Sequence, residues 1–419
     1  MKINKYILIL VLGITLRLVL SLSSYHSDVA ALTFAGQVIT QGHILDFYDY
    51  LPNLPQSAEI LKVFPTSLFN YPPLVYLLIS VPATAFLFLI NSTFEQTFIF
   101  NIAQAFGDLN LFAQLILFKL PYLVYDLIIA LLIMKILQTP KERLLGFALW
   151  MFNPVSLYAT YMIGQFDIVP TFFVVISLFL VSSKIPITNK RLLFAALMLG
   201  FGAAVKIFPL FFLVPVASLT NSWKTRIQIF IVGFSPYILS LLPFIFSKGF
   251  RSSALVANQT LKSLYPQIPV SGGESILLFV TLLIFIYIVM LKKKGLENIV
   301  WQRYLIAILP FYIFTHFHPQ WFIWVTPILI IELVRNRFQN LFVVLIMLFS
   351  FIGSLFFYDP GLNINLFAPI IPSLYNGPSI WQILNINIDY NFWRSILQSL
   401  FVGAALYYLY LYFPRKDEQ

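Results

Sequence analysis

The residues able to do chemistry are few and scattered along an otherwise apolar chain. Asp28 closes the run Ser24-Tyr25-His26-Ser27-Asp28. It follows an apolar stretch and heads an Ala-, Leu- and Phe-rich segment, up to Gly42, whose apolar positions fall at helical spacing. That places it just outside the hydrocarbon at the start of a short helix lying on a membrane. A carboxylate held there, partly desolvated, suits general-base work on a sugar hydroxyl; the same position also suits an N-cap. Asp46 and Asp49 flank Phe47 and Tyr48. Carboxylates beside aromatic rings suit sugar stacking and hydrogen bonding, and such rings also anchor at interfaces. Tyr71 opens a Tyr-Pro-Pro-Leu segment, Gln165 and Asp167 lie in Gly164-Gln165-Phe166-Asp167, and His316 and His318 lead into Gln320 and Trp321. Two His at i, i+2 lack the further ligands of a metal site, so His318 reads as a donor to phosphate or sugar, or as structural. No metal is expected.

A second group is cationic. Arg17, Lys119 and Lys206 fall within or at the ends of apolar stretches, and Arg394 opens the last one. Ionisable side chains at such depth are functional by default, with snorkelling to headgroups as the alternative. Arg offers bidentate contacts to a phosphate and Lys a point charge. These four and His318 are the candidates for binding a lipid phosphate. Asp46, Tyr48, Asp49, Tyr71, Gln165, Asp167, Gln320 and Trp321 are the candidates for binding sugar or acceptor.

The elements that must position these residues follow from composition. Of 419 residues, 60% are apolar and 10% charged, against about 45–50% and roughly 25% in soluble domains. Lipid must be the solvent. Cys is absent, which removes disulfides and thiol chemistry. No P-loop, G-x-G-x-x-G, His-Glu-x-x-His or Gly-x-Ser-x-Gly occurs, and no soluble domain is long enough to hold a nucleotide. The net charge of +10 is topological, so no nucleic-acid partner is expected.

A crossing helix needs about 20 apolar residues. Twelve candidates lie near 5–24, 115–137, 143–161, 166–183, 191–205, 206–219, 225–247, 274–292, 298–317, 319–334, 339–357 and 392–413. Eighteen of the 26 basic residues, among them Lys2, Lys184, Lys293, Arg415 and Lys416, fall on one face of this arrangement. The positive-inside rule makes that face cytoplasmic, with both termini inside. Eleven of the sixteen acids lie outside or within the membrane, which points to an external polar site. Parity makes Tyr71–Ile90 an interfacial helix; a pair of crossings through Phe98–Phe118 is the alternative. The chain divides into a module over 1–334, with a long external loop at 25–114, and a C-terminal part over 335–419, with an external loop at 358–391.

In order and spacing these motifs resemble the GT-C superfamily of membrane glycosyltransferases. Within it the chain is similar to bacterial and archaeal relatives of the GPI mannosyltransferase I catalytic subunit and of the lipid-linked-oligosaccharide glucosyltransferases. The resemblance rests on Asp28, Tyr71–Leu74, Leu120–Asp126, Asn153-Pro154 to Asp167, Lys206–Pro209 and His318–Trp324. It implies an all-α polytopic bundle with interfacial helices in its first external loop. It implies transfer of a hexose, mannose or glucose in type, from a polyprenyl-phosphate donor to an acceptor hydroxyl on a glycan or glycolipid, with inversion and with Asp28 as catalytic base. No cofactor is implied, and some relatives require a partner subunit. Many relatives carry Asp where Asn70 stands here, so a second carboxylate role at that site is not implied. The plasma membrane is the expected location. A transporter or flippase for an amphipathic substrate is the alternative; it predicts charges at mid-depth and pseudo-symmetric halves, whereas these charges crowd the outer end.

Overall fold

The computed structural model describes residues 4–81, 92–182, 186–255, 261–292, 300–316 and 318–413. The described chain is almost wholly helical. Its principal helices are α1 (Lys5–Ser23), α2 (Ser27–Thr40), α3 (Leu109–Ile136), α4 (Pro140–Met151), α5 (Ile168–Ser182), α6 (Asn189–Val205), α7 (Trp223–Leu241), α8 (Leu278–Lys292), α9 (Val300–Phe314), α10 (Thr326–Arg335), α11 (Leu341–Leu355) and α12 (Tyr390–Tyr412). One short antiparallel hairpin pairs Gln267–Pro269 with Ser275–Leu277, an element the apolar periodicity did not signal.

Local chemistry sets the helix ends. Asn4 accepts from the Tyr6 amide at the head of α1, and Asp108 from the Asn110 amide, 2.8 Å, at the head of α3. Thr139 and Glu142 form a capping box on α4, satisfying amides that lack intrahelical partners. Asn153 caps the next turns, Pro154–Ser156 and the wide-wound Leu157–Met162. These end at Gly164, whose φ of +78° only glycine adopts at no steric cost. The turn it makes carries Gln165, Phe166 and Asp167.

Four described stretches are long and apolar enough to cross a membrane: Lys5–Ser23, Leu109–Ile136, Trp223–Phe244 and Tyr390–Tyr412. Five shorter apolar helices accompany them. A count of twelve is not established by helix length, because Pro and 3-10 or π turns break several expected spans; Phe208–Phe212, for example, is 3-10 before Leu213–Ala217 becomes α. The faces of α1 and α7 turned away from the bundle expose Val11, Leu12, Val19, Ile231 and Leu239, as lipid contact requires. Inside, α6 packs on α5 and α7. The α6–α7 crossing is close because Gly200 lies against Gly233; a Cβ at 200 would strike the Gly233 carbonyl and Pro236, the small-residue approach typical of membrane helices.

Of the segment expected to lie along the interface, Pro73–Val75 and Tyr76–Ser80 are short helical turns, the first packed against α6 and α7 and the second against α2. Residues 82–91, which include the rest of that segment, lie outside the described residues, as do Lys2, Lys184, Lys293, Lys294, Arg415 and Lys416. The 358–391 loop folds back over the α1–α2 joint: the Tyr25 amide donates to the Leu366 carbonyl, 2.8 Å, and the Tyr158 hydroxyl to the Leu362 carbonyl, 2.6 Å.

Candidate active site

A cavity of about 710 Å³ opens at the end of the bundle where α1 turns into α2. Asp28 lies on its wall, in the first turn of α2. The cap of that helix is His26, whose Nδ1 accepts the Asp28 amide at 3.2 Å. The capping alternative for Asp28 is thereby set aside. With its Nδ1 lone pair engaged, His26 does not donate to the Asp28 Oδ2 that lies 3.5 Å away. The Gln165 side-chain amide donates to that oxygen instead. The carboxylate is 40% exposed. It is therefore an open acceptor facing a cavity, oriented by one neutral donor.

Lys206 forms another wall. The backbone leaves α6 here in an extended conformation, which turns the side chain inward. Its ammonium lies 2.7 Å from Asp167 Oδ1, and the Trp324 indole N–H donates to the same oxygen at 2.6 Å. The rings of Phe166, Trp321, Trp324 and Tyr71 stand 5.2–5.9 Å from the ammonium. Cation–π attraction and one buried carboxylate thus hold a positive charge in a largely apolar wall. Asp167 is itself fully buried and not part of the lining; the structure makes it the anchor of Lys206 and corrects its reading as a sugar contact.

The third wall carries His318, Gln320 and Trp321. Burial, then the positive charge of Lys262, push the His318 imidazole down to about 3. The ring is therefore neutral near pH 7, and its Nε2 accepts from the Lys262 ammonium 3.2 Å away. Burial also lowers Lys262. Among the described residues no carboxylate lies within 4.0 Å of Lys262. Lys262 does not line the cavity and reaches it through His318; sequence reasoning did not single it out, because it lies in a loop without a motif, and only its count among the external bases hinted at it.

The remaining polar atoms are acceptors. Asn70 Oδ1, Gln165 Oε1 and Gln320 Oε1 are buried at the cavity and make no hydrogen bond among the described residues. Buried amide oxygens are nearly always paired, so three orphans around one space fit a ligand rich in hydroxyl donors. Burial, then Asp28 and Asp167, hold the Tyr71 phenol well above its usual range, so it keeps its proton. The lining thus combines one open carboxylate, Asp28, one cation, Lys206, and unpaired amide oxygens.

Other expected residues lie elsewhere. Arg17 and Lys119 do not face the cavity. The Arg17 guanidinium is fully buried against Asp126, 2.5 Å, and donates to the Met151 and Gly13 carbonyls. Trp150 and Tyr161 complete the Asp126 shell at 2.6 Å each. Lys119 is fully buried and donates to the Ser24 and Ser21 carbonyls at 2.7 and 3.1 Å, satisfying the orphan end of α1. Helical spacing placed both at the right depth, but depth does not name a partner. Asp46 holds His43, 2.8 Å, and Asp49 accepts the Gly249 amide, 2.7 Å. Tyr48 is core, donating to the Tyr71 carbonyl at 2.6 Å. None of these three lines the cavity; they brace the loops above it. Arg394 borders a different cavity. The structure therefore brings together Asp28, Tyr71, Gln165, Lys206, His318, Gln320 and Trp321.

No curated protein matches the chain. A family model, glycosyltransferase family 87, matches residues 69–291, more than half of the chain. That span includes Tyr71, Gln165, Asp167, Lys206 and Lys262; Asp28, His318, Gln320 and Trp321 flank it. A helical membrane bundle, a cavity at one end carrying an oriented carboxylate and caged cations, and this match lead to one conclusion: the chain belongs to glycosyltransferase family 87, a membrane glycosyltransferase family of the GT-C type.

Proposed function

We propose that the enzyme moves a hexose from a polyprenyl-phosphate donor to a hydroxyl of a glycan or glycolipid acceptor, at the external face of the plasma membrane and with inversion. The observation that carries this reading is the placement of Asp28 and Lys206 on walls of one cavity, whose lining also holds unpaired amide acceptors.

In the reaction, the acceptor hydroxyl attacks the anomeric carbon from the Asp28 side. Its proton passes to the Asp28 carboxylate as the new glycosidic bond forms. The bond from the anomeric carbon to the phosphate oxygen breaks on the opposite face, and its electron pair leaves with the polyprenyl phosphate. Negative charge grows on that phosphate. Lys206 and Lys262 are fixed near it before the reaction, so they stabilise the transition state without reorganising. The donor lipid needs no separate cofactor in this scheme. Asn70, Gln165 and Gln320 accept sugar hydroxyls, and Trp321 and Tyr71 pack on sugar or prenyl carbons. The excess of basic residues at the opposite end of the helices supports a cytoplasmic placement for that end.

Incubating purified protein with radiolabelled polyprenyl-phosphate mannose and glucose, and determining the anomeric configuration of the product, tests the proposal. Transfer with inverted configuration is expected. Transfer with retention, or transfer only from a soluble nucleotide sugar, would contradict it.

A further inference from the structure

A second cavity, of about 580 Å³, lies beside the first, where α9 and α11 end and α12 begins. The two are neighbours across one short strand of chain: His316 borders the second cavity and His318 the first, with their rings 6.1 Å apart. The floor of the second cavity is apolar, formed by Ile313, Phe314, Leu397 and Phe401. Its rim holds Arg394, whose guanidinium donates to Asn391 Oδ1 at 2.5 Å and stands 5.2 Å from the Tyr358 ring.

Three features of this space point to an anion. First, no carboxylate lies within 4.0 Å of Arg394 among the described residues, and none lines the cavity. The nearest acids along the chain are occupied, Asp389 with the Asn391 and Phe392 amides and Asp359 with the Gly361 amide. Second, the Thr315 hydroxyl lines the cavity, is 1% exposed and makes no hydrogen bond among the described residues. A hydroxyl so placed lacks the partner that buried polar groups ordinarily have. Third, the hydroxyls of Ser350, Ser354, Ser395 and Ser399 are returned to helix carbonyls, so the lining keeps Arg394 as its one cation, with Thr315 and the side-chain amides of Asn391 and Gln398 as neutral donors. A planar guanidinium and a buried hydroxyl lining one cavity suit a phosphate group, and the apolar residues of the same lining suit a hydrocarbon chain attached to it.

We propose that this cavity is a second binding site, separate from the one that holds Asp28, for a phosphate-bearing anion seated on Arg394 and Thr315. The phosphate comes either from a lipid headgroup or from free phosphate. The site does not depend on the reaction assigned to the first cavity.

Equilibrium binding of three probes to purified protein in a nonionic detergent tests this: dihexanoyl phosphatidic acid, inorganic phosphate, and dihexanoylglycerol, which has the chains without the phosphate. Saturable binding of the phosphatidic acid and none of the diacylglycerol are expected. Competition by inorganic phosphate identifies free phosphate as a sufficient ligand; its failure to compete assigns the site to a lipid headgroup. Arg394→Gln is expected to weaken binding roughly 10- to 100-fold, Thr315→Val roughly 3- to 10-fold, and Arg394→Lys less than Arg394→Gln. Lys206→Gln is expected to leave this binding in place, which separates it from any phosphate site in the first cavity. Thr315→Val keeps the side-chain shape, so it serves even where an Arg394 variant unfolds. Wild-type affinity in both Arg394→Gln and Thr315→Val, loss in Lys206→Gln alone, or no binding of either phosphate probe would overturn the proposal.

Discussion

Lys206 Nζ lies 2.7 Å from Asp167 Oδ1, and Trp324 donates its indole N–H to the same oxygen. One carboxylate thus sets both a cation and an aromatic wall of the cavity, although it is not itself part of the lining. Lys206 comes from the end of α6, Asp167 from the turn after Gly164, and Trp324 from the turns before α10. The cation is fixed by three separate parts of the chain, which is what preorganisation at a developing charge requires.

This relationship makes Asp167 a positioning residue. Asp167→Asn keeps the side-chain shape but removes the charge that orients Lys206, and kcat is expected to fall about 10²-fold. Lys206→Gln is expected to fall at least as far, and the double variant no further than Lys206→Gln alone, because the two act as one unit. Steady-state kinetics on the three variants check this. Full activity in Asp167→Asn beside an inactive Lys206→Gln would show that the cation orients itself.

The Arg17–Asp126 pair is expected to be structural. Both side chains are fully buried, so removing one leaves an uncompensated charge, at a cost of about 3–5 kcal/mol. Arg17→Met and Asp126→Leu should each lower thermal stability strongly, while the double variant recovers most of it. Melting curves in one detergent decide the matter. Single variants that melt like wild type but lose donor affinity would return Arg17 to a phosphate-binding role.

Acid stability should carry the signature of His318. Its folded-state value, about 3, lies below the ordinary imidazole value because of burial and Lys262. The unfolded state therefore binds the proton first. The stability this neutral ring contributes is complete above about pH 6.5 and is lost progressively as pH falls toward about 3. His318→Gln should flatten that part of the stability–pH curve. Equal acid slopes in wild type and variant would contradict the burial argument.

A second carboxylate beside Asp28 should expose its role as a base. The Gln165 amide now donates to Asp28 Oδ2. Gln165→Glu replaces that donor with a like charge, which raises the pH at which the pair loses its second proton. The acidic limb of the kcat/KM profile should move to higher pH, while Gln165→Ala lowers activity without moving it so far. An unmoved limb in Gln165→Glu would separate Asp28 from the titration that limits the reaction.

The bundle and the site differ in how much of each the amino-acid sequence revealed. Apolar stretches report local physics, so the helical bundle could be read from them, although Pro and 3-10 or π turns break several of the expected spans. Asp28, Gln165, Lys206 and His318 stand at helix ends facing the same end of the bundle, and that much of their convergence follows from counting crossings. What periodicity does not carry is partnership. Arg17 meets Asp126 and Lys119 meets the Ser24 carbonyl across more than ninety residues of chain, and those contacts turn expected phosphate ligands into braces. Lys262 is the opposite case, a loop residue without a motif that tertiary folding brings to His318. Arg394 was legible as an outer-end cation, but its position beside a second cavity arises from the meeting of α9, α11 and α12.

The most direct test of the central claim is transfer of labelled hexose by Asp28→Asn protein that melts like wild type. The variant keeps the shape of the side chain and can still face Gln165, but it cannot take the acceptor proton. The account predicts a fall in kcat of roughly 10²–10⁴-fold, with donor binding retained through Lys206 and Lys262. Wild-type turnover by Asp28→Asn would contradict it.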